Sequence, residues 1–302
     1  MPPTQHIDEH ALSRLEVLWG PEALGRIRQS VIMVLGAGGV GSNCIEALVR
    51  GGVGTIVVVD GDEVVASNIN RQAIAFTDTV GMRKVDAVRA LAERINPSAR
   101  IIARDAFVLP SDVEDLIEEC RAEVGGRIDY IVDAIDTVST KLELARVAAK
   151  QGIPLVSSMG GAMKLHPELL RFADIYETSG DALARVIRKG CRKLGIAHLD
   201  VLYSTESPKR QANDAVGAER GPLGTTSYLP PIMGQMLAGF VMQKCAQGTA
   251  SAAAATGTAA VPDADAAPDA ATPDAAPAPD AATPGAAAAT ASMQSGRAGD
   301  AR

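Results

Sequence analysis

The chain is 302 residues long, 47% hydrophobic and only 3% aromatic, with a formal net charge of -7. That balance excludes a generally basic nucleic-acid binder, so any contact with RNA must come from a local patch. Base stacking has few side chains to draw on, with Phe172, Tyr176 and Tyr203 as the candidates.

In chain order, residues 7–29 mix apolar and charged positions at helical spacing. Gly20-Pro21 divides them into two short N-terminal helices within residues 1–30. Val31-Ile-Met-Val-Leu35 is apolar on both faces, as a buried parallel strand must be. Glycine-rich residues 36–41 follow, then a helix over 42–50 and a strand over 55–59 that ends at Asp60. A long helix is expected over 83–95, stopped by Asn96-Pro97, and a third strand over 100–104. Ser111, with Glu114 after it, reads as the cap of a helix over 111–120. A fourth strand covers 130–133, a helix 141–151 and a fifth strand 154–157. This alternation predicts an α/β fold with a Rossmann-like, doubly wound, mostly parallel sheet.

After Gly160 the pattern becomes irregular, with a clear helix over 181–194, a strand over 201–204 and a closing helix over 232–244. One α/β domain over 31–247 is therefore expected, with a smaller C-terminal portion from about residue 160 completing a substrate site. From Gly248 onward the composition is Ala, Pro, Asp, Thr and Gly, too little side chain to offset ordering entropy, which predicts a disordered tail over 248–302. Its six Asp against Arg297 and Arg302 carry -4 of the net charge.

Cys44, Cys120, Cys191 and Cys245 are scattered without C-x-x-C spacing, which fits a reducing cytoplasm and no zinc site. Cys191, beside Arg192, reads as a packed thiol in preference to a reactive one. The N-terminus has no apolar signal region, and the apolar run over 228–241 is broken by prolines and glycines, so no integral membrane role is expected.

Gly36-Ala37-Gly38-Gly39-Val40-Gly41 lies between a strand and a helix. That context permits a tight turn, close backbone approach to a phosphate and helix amides facing an anion. Asp60, at the end of the next strand, is placed to accept ribose hydroxyls. These features predict a nucleotide and leave open which one. The run from Asp60 through Asp62, Asn68, Asn70 and Arg71 to Gln72, followed by Lys84, adds paired cations. A dehydrogenase has no use for these, and a nucleoside triphosphate needs them. Asp136, after the fourth strand, offers a hard oxygen ligand for Mg2+ at the crevice.

Gly-x-Gly-Gly-x-Gly, Asp-x-Asp-x-Val-x-x-x-Asn-x-Asn-Arg-Gln, Gly81-x-x-Lys84 and Asp133-x-x-Asp136 together resemble the ubiquitin-activating-enzyme-like superfamily of adenylating enzymes. The resemblance implies that Gly36, Gly38, Gly39, Gly41, Asp60, Asp62 and Asn68 bind ATP, with Asp60 at the ribose and Asn68 near the phosphates. It implies that Arg71 and Lys84 neutralise the triphosphate and that Asp136 binds Mg2+. Arg14 is similar to an arginine that, in this superfamily, reaches into the partner subunit's ATP site, which implies a homodimer. The implied chemistry is attack of a carboxylate on the α-phosphorus, with Arg14, Arg71, Lys84 and the metal stabilising the charge.

The second half narrows the substrate. Val156-Ser-Ser-Met-Gly-Gly-Ala-Met-Lys164, Asp174-Ile-Tyr-Glu-Thr-Ser179, Asp181-Ala-Leu-Ala-Arg185 and Val201-Leu-Tyr-Ser-Thr-Glu206 resemble the tRNA threonylcarbamoyladenosine dehydratases. In that family the threonine carboxylate of the modified adenosine in tRNA is adenylated, and the neighbouring carbamoyl group closes on it with net loss of water. Arg185, Arg188, Lys189 and Arg192 fall at i, i+3, i+4 and i+7 on one helix face, with Lys209-Arg210 in the next loop. Such a stripe alone is a solvated face. With the resemblance it is expected to bind RNA phosphates. The alternatives are an activator of a small ubiquitin-like sulfur carrier, with a sulfur-transfer partner and an essential cysteine, and a nucleotide-binding scaffold without catalysis.

Overall fold

Val31–Leu35 (β1) sends Ile32 and Val34 into one apolar core and Val31, Met33 and Leu35 into another. A strand buried on both faces needs a helical layer above and below it. The computed structural model, which describes residues 9–207 and 223–248, supplies both layers. The expected tail after Gly248 and the pair Lys209-Arg210 lie outside the described residues.

In chain order the helices and strands are α1 (Ser13–Trp19), α2 (Pro21–Gln29), β1, α3 (Gly41–Arg50), β2 (Thr55–Val59), α4 (Lys84–Ile95) and β3 (Arg100–Arg104). There follow α5 (Val113–Glu123), β4 (Tyr130–Asp133), α6 (Val138–Gln151), β5 (Leu155–Ser158), β6 (Leu170–Asp174), α7 (Ala182–Leu194), β7 (Asp200–Ser204) and α8 (Leu229–Gln247). Buried residues of α3, α4 and α8 join Ile56, Val58, Val132 and Val156 in one core. Those of α5, α6 and α7 join Val57, Val59, Ile131 and Leu155 in the other.

The sheet order is β3-β2-β1-β4-β5-β7-β6, parallel throughout except where β6 runs antiparallel to β7. The chain leaves β1 toward β2 and returns to its other side at β4. This reversal opens a crevice at the carboxyl ends of β1 and β4. Register pairs Leu35 with both Val59 and Asp133, and Asp133 with Ser157, so the loops that follow these strands lie side by side.

The portion after residue 160 extends this same sheet by two strands. β6 differs from the irregular chain expected there: Leu-Arg-Phe-Ala-Asp has only Leu170 fully buried, because an edge strand needs no continuous apolar run. His198 closes the far end of the β6–β7 pair. Its Nδ1 meets Asp174 Oδ2 and its Nε2 lies 3.2 Å from Asp200 Oδ1. Asp200 foremost, and then Asp174, raise the imidazole pKa above its ordinary range.

Two helix starts differ from expectation. Ser111 does not cap α5, since its hydroxyl donates to Asp112 Oδ1 within a short 3-10 turn, Pro110–Asp112, that precedes the helix. α8 begins at Leu229 and takes both prolines into its first turn, where a missing N–H costs nothing. Among the described residues no helix is long and apolar enough to cross a membrane.

Candidate nucleotide site at the switch point

Gly36 has a φ of +89°, and a Cβ there would sit 2.7 Å from Ala134 O, so the turns after β1 and β4 touch backbone to backbone. A Cβ on Gly41 would lie 1.7 Å from Gly36 O, which makes glycine obligatory where α3 starts. Gly38 faces open space, and Gly39 lies under the Arg71 side chain, where a Cβ would meet Cγ and Cδ at 3.2 Å. The glycine loop is thus a floor with one open side, rimmed by an arginine.

Polar residues of α3 hold that rim. Asn43 Nδ2 donates to Gly39 O (2.7 Å) and Arg71 O (2.9 Å), and Ser42 Oγ accepts from Ala73 N–H (3.0 Å). Sequence reasoning missed both, because Ser and Asn in a first helical turn read as ordinary capping residues. Asn68 is buried, and its Oδ1 accepts from Val65 N–H (3.1 Å). Its visible work is to shape the loop that presents Arg71. The Arg71 guanidinium donates to Ser67 O and Asn70 Oδ1, both at 2.9 Å, while Asn70 Nδ2 reaches Thr225 O (3.3 Å) ahead of α8.

Asp60 Oδ2 accepts from Ala37 N–H (2.7 Å), which fastens the end of β2 to the glycine loop. Its Oδ1 accepts from Asp62 N–H (2.9 Å). Lys84, buried at the start of α4, places its Nζ 2.6 Å from Asp62 Oδ2 and 3.6 Å from Asp60 Oδ1. Asp60, Asp62, Lys84, Arg71 and the glycines are therefore brought together from four separate segments. Asp136 stands exposed two residues beyond Ala134 and, among the described residues, forms no salt bridge. No cluster of three metal-binding side chains exists among the described residues. A lone exposed carboxylate suits Mg2+ that arrives on phosphates and keeps most of its water.

Asp133 and Lys141 form an ion pair directly beneath, 2.9 Å apart and each with 1% of its side chain exposed. Desolvating such a pair costs of order several kcal/mol per ion, so it is a poor device for stability alone. Lys141 reads in sequence as one more helix-surface charge, and nothing in its spacing marks it.

Arg14 stands apart from this assembly on the exposed face of α1. Val17 and Leu18, one turn on, are 87% and 75% exposed, an unusual apolar display on a surface helix.

Beyond β5, Lys164 is buried against Asp181, whose Oδ1 accepts from Ala184 N–H (2.8 Å) and caps α7. Glu206 accepts from Leu165 N–H and His166 N–H, both at 2.9 Å, and Tyr228 OH donates to Leu165 O (2.9 Å). Met163 in the same loop has a φ of +60°, a conformation that costs energy for a side chain of this kind.

On α7, Arg185, Lys189 and Arg192 are exposed, and Arg192 lies 5.6 Å from the Tyr176 ring centre. Arg188 differs from the expected stripe. Its guanidinium donates to Thr178 O (2.7 Å) and ties α7 to the turn before it. Two of the stacking candidates, Phe172 and Tyr203, are corrected as well, while Tyr176 stays half-buried. Phe172 stacks on Phe240 at 4.6 Å, Tyr203 is buried, and Tyr176 OH donates to Ile196 O. All four thiols are buried, and burial raises every one of their pKa values, Cys191 and Cys245 to about 11.

Comparison with known proteins agrees with this geometry. The ThiF family model matches residues 12–249. The tRNA threonylcarbamoyladenosine dehydratase of Bacillus subtilis is 37% identical over 244 residues, covering 77% of this chain and 93% of that protein. The Haemophilus influenzae protein of the same name is 31% identical over 242 residues, covering 80% and 85%. The solved structure of the Escherichia coli tRNA N6-threonylcarbamoyladenosine dehydratase, TcdA, in complex with ATP superposes with a TM-score of 0.71 at 27% identity, over 82% of this chain and 99% of that one. A glycine floor, a carboxylate fastened to it at the end of β2 and two rim cations, on a fold shared with those proteins over nearly their whole length, leave one family: the chain belongs to the ThiF family and, within it, to the tRNA threonylcarbamoyladenosine dehydratases.

Proposed function

We propose that this chain is an ATP-dependent tRNA threonylcarbamoyladenosine dehydratase. The threonine carboxylate of the modified adenosine attacks the α-phosphorus of ATP, and pyrophosphate leaves with the α–β bridging electrons. The carbamoyl group then attacks the activated acyl carbon, AMP leaves, and the net change is loss of one water as the ring closes. The observation that carries this reading is the convergence of the glycine floor, Asp60, Arg71 and Lys84 at the sheet's switch point.

In this reading the floor between Gly36 and Gly41 receives the phosphates, and Asp60 turns a carboxylate toward the ribose. Arg71 swings from its loop carbonyl to the phosphates, and Lys84 exchanges Asp62 for them. Asp136 would hold Mg2+, which when bound would supply positive charge to the phosphates. The exposed stripe Arg185, Lys189 and Arg192 meets tRNA phosphates, and a tRNA substrate fits a cytoplasmic setting. Arg14, flanked by uncovered Val17 and Leu18, supports a homodimer in which a partner covers α1 and Arg14 reaches its site. All four cysteines are buried with raised pKa values, which speaks against a persulfide step on a thiol of this chain and so against a sulfur-transfer partner.

The test is mass spectrometry of nucleosides from threonylcarbamoylated tRNA incubated with the protein, ATP and Mg2+. An ATP-dependent loss of one water from the modified adenosine is expected. An unchanged nucleoside would overturn the reading.

A further inference from the structure

We infer that Lys141 is a positioning residue, holding the nucleotide-side loop and the substrate-side loop in the register that carboxylate activation needs. The inference rests on the adenylating function proposed above. Lys141 Nζ donates to Asp133 Oδ2 (2.9 Å), Ser157 Oγ (3.1 Å) and Ser158 O (2.8 Å). Ser157 Oγ in turn donates to Asp133 Oδ2 (2.6 Å). An ammonium has three protons, and all three are directed to the carboxyl ends of two neighbouring strands.

Each of those ends launches a different part of the site. Asp133 closes β4, and its Oδ1 accepts from Ile135 N–H (3.3 Å), which bends the chain toward Asp136. Ser158 closes β5 and leads directly into the loop that carries Met163 and the buried Lys164. Asp133 and Ser157 are register partners, so any slip of β5 against β4 breaks the whole network at once.

Stability does not explain the network. The remaining paired residues of the two strands, Ile131 with Leu155 and Val132 with Val156, are apolar, and an apolar pair would hold the last rung as well. Charge is spent only on the rung from which both loops depart. A directional, saturated network fixes orientation in a way that apolar contact cannot. Attack on phosphorus depends on that orientation, since the carboxylate and the α-phosphate are carried by these two sides of the crevice.

The test uses two variants, Ser157→Ala and the charge-neutral double variant Asp133→Asn with Lys141→Met. Turnover of threonylcarbamoylated tRNA, KM for tRNA, ATP affinity by equilibrium binding and Tm are measured for both beside the wild type. A misplacement of about 1 Å is worth about 100-fold in rate, so kcat should fall about 100-fold in the double variant and about 10-fold in Ser157→Ala, with ATP affinity and KM changed less than about threefold. A lower Tm with wild-type kcat would mean a purely structural pair and overturn the inference. Loss of ATP affinity in step with kcat would overturn it too, by confining Lys141 to the nucleotide side. If the double variant does not fold, Ser157→Ala decides alone by the same criteria. Wild-type turnover with unimpaired variants overturns only the positioning role, whereas a wild type without turnover overturns the proposed function as well.

Discussion

In the crevice, residues drawn from four separate segments converge, whereas on α7 four cations drawn from one segment diverge. Arg71 comes from a loop and Lys84 from the start of α4, yet both border the glycine loop that follows β1. Arg185, Arg188, Lys189 and Arg192 share a helix face, yet Arg188 turns inward to Thr178 and Arg192 leans over Tyr176. A stripe along a helix follows from amphipathicity alone, and each member can serve packing as easily as binding. Convergence across segments has no such cheap origin, which makes it the better guide to chemistry.

The comparison breaks first if the crevice residues prove dispensable. Arg71→Ala and Asp136→Ala should each lower kcat/KM by about 100-fold or more, the usual loss for a group that stabilises transition-state charge. Both variants should keep the wild-type Tm, since neither side chain is core. Activity near wild type in either one would remove that residue from the site. Asn43→Ala sharpens the same point, because it leaves every cation in place and releases only the two bonds by which the Asn43 amide staples the Arg71 loop to Gly39. A loss of about 10-fold in kcat/KM is expected from imperfect placement, measured beside ATP affinity.

On α7 the prediction divides the stripe. Arg188→Ala should lower stability by about 1.5 kcal/mol, the order of a charged hydrogen bond, and leave tRNA binding unchanged. Arg185→Ala combined with Lys189→Ala should raise KM for tRNA. It should also flatten the slope of log affinity against log salt by about 0.7 for each phosphate that is no longer neutralised. If Arg188→Ala matched the pair in salt dependence, the two classes of residue would merge.

The smallest effect is expected at His198. Its folded pKa is raised, foremost by Asp200, so its contribution is full below the ordinary imidazole range and fades as the pH rises through the folded value. His198→Gln should therefore lower Tm in mildly acid solution and matter little in mildly alkaline solution. An equal shift at both would mean that the clamp works without its charge.

The parallel strands are legible in the sequence because burial on two faces leaves an apolar run such as Val31–Leu35 or Thr55–Val59. The glycine loop is legible because close backbone contact, as at Gly36 and Gly41, admits no other residue. β6 stays hidden because an edge strand with Arg171 exposed carries no such run. The aromatics mislead for a related reason: sequence gives the number of rings but not which side of a strand each one takes. Phe172 spends its face on Phe240. Asn43 and Lys141 are silent in the sequence because their meaning lies wholly in the partners that the fold brings to them.

Lys84 arrives at its task already neutralised, shared between Asp62 and Asp60. In the proposed function, nucleotide capture at this point is ion exchange, with phosphate oxygens replacing a resident carboxylate, and its driving force is the difference between two pairings. Dissolved salt screens both pairings, while the proposed tRNA docking on α7 displaces no resident ion pair among the described residues. Raising ionic strength should therefore weaken tRNA binding steeply and ATP binding only slightly, a contrast that one titration series with each ligand can measure.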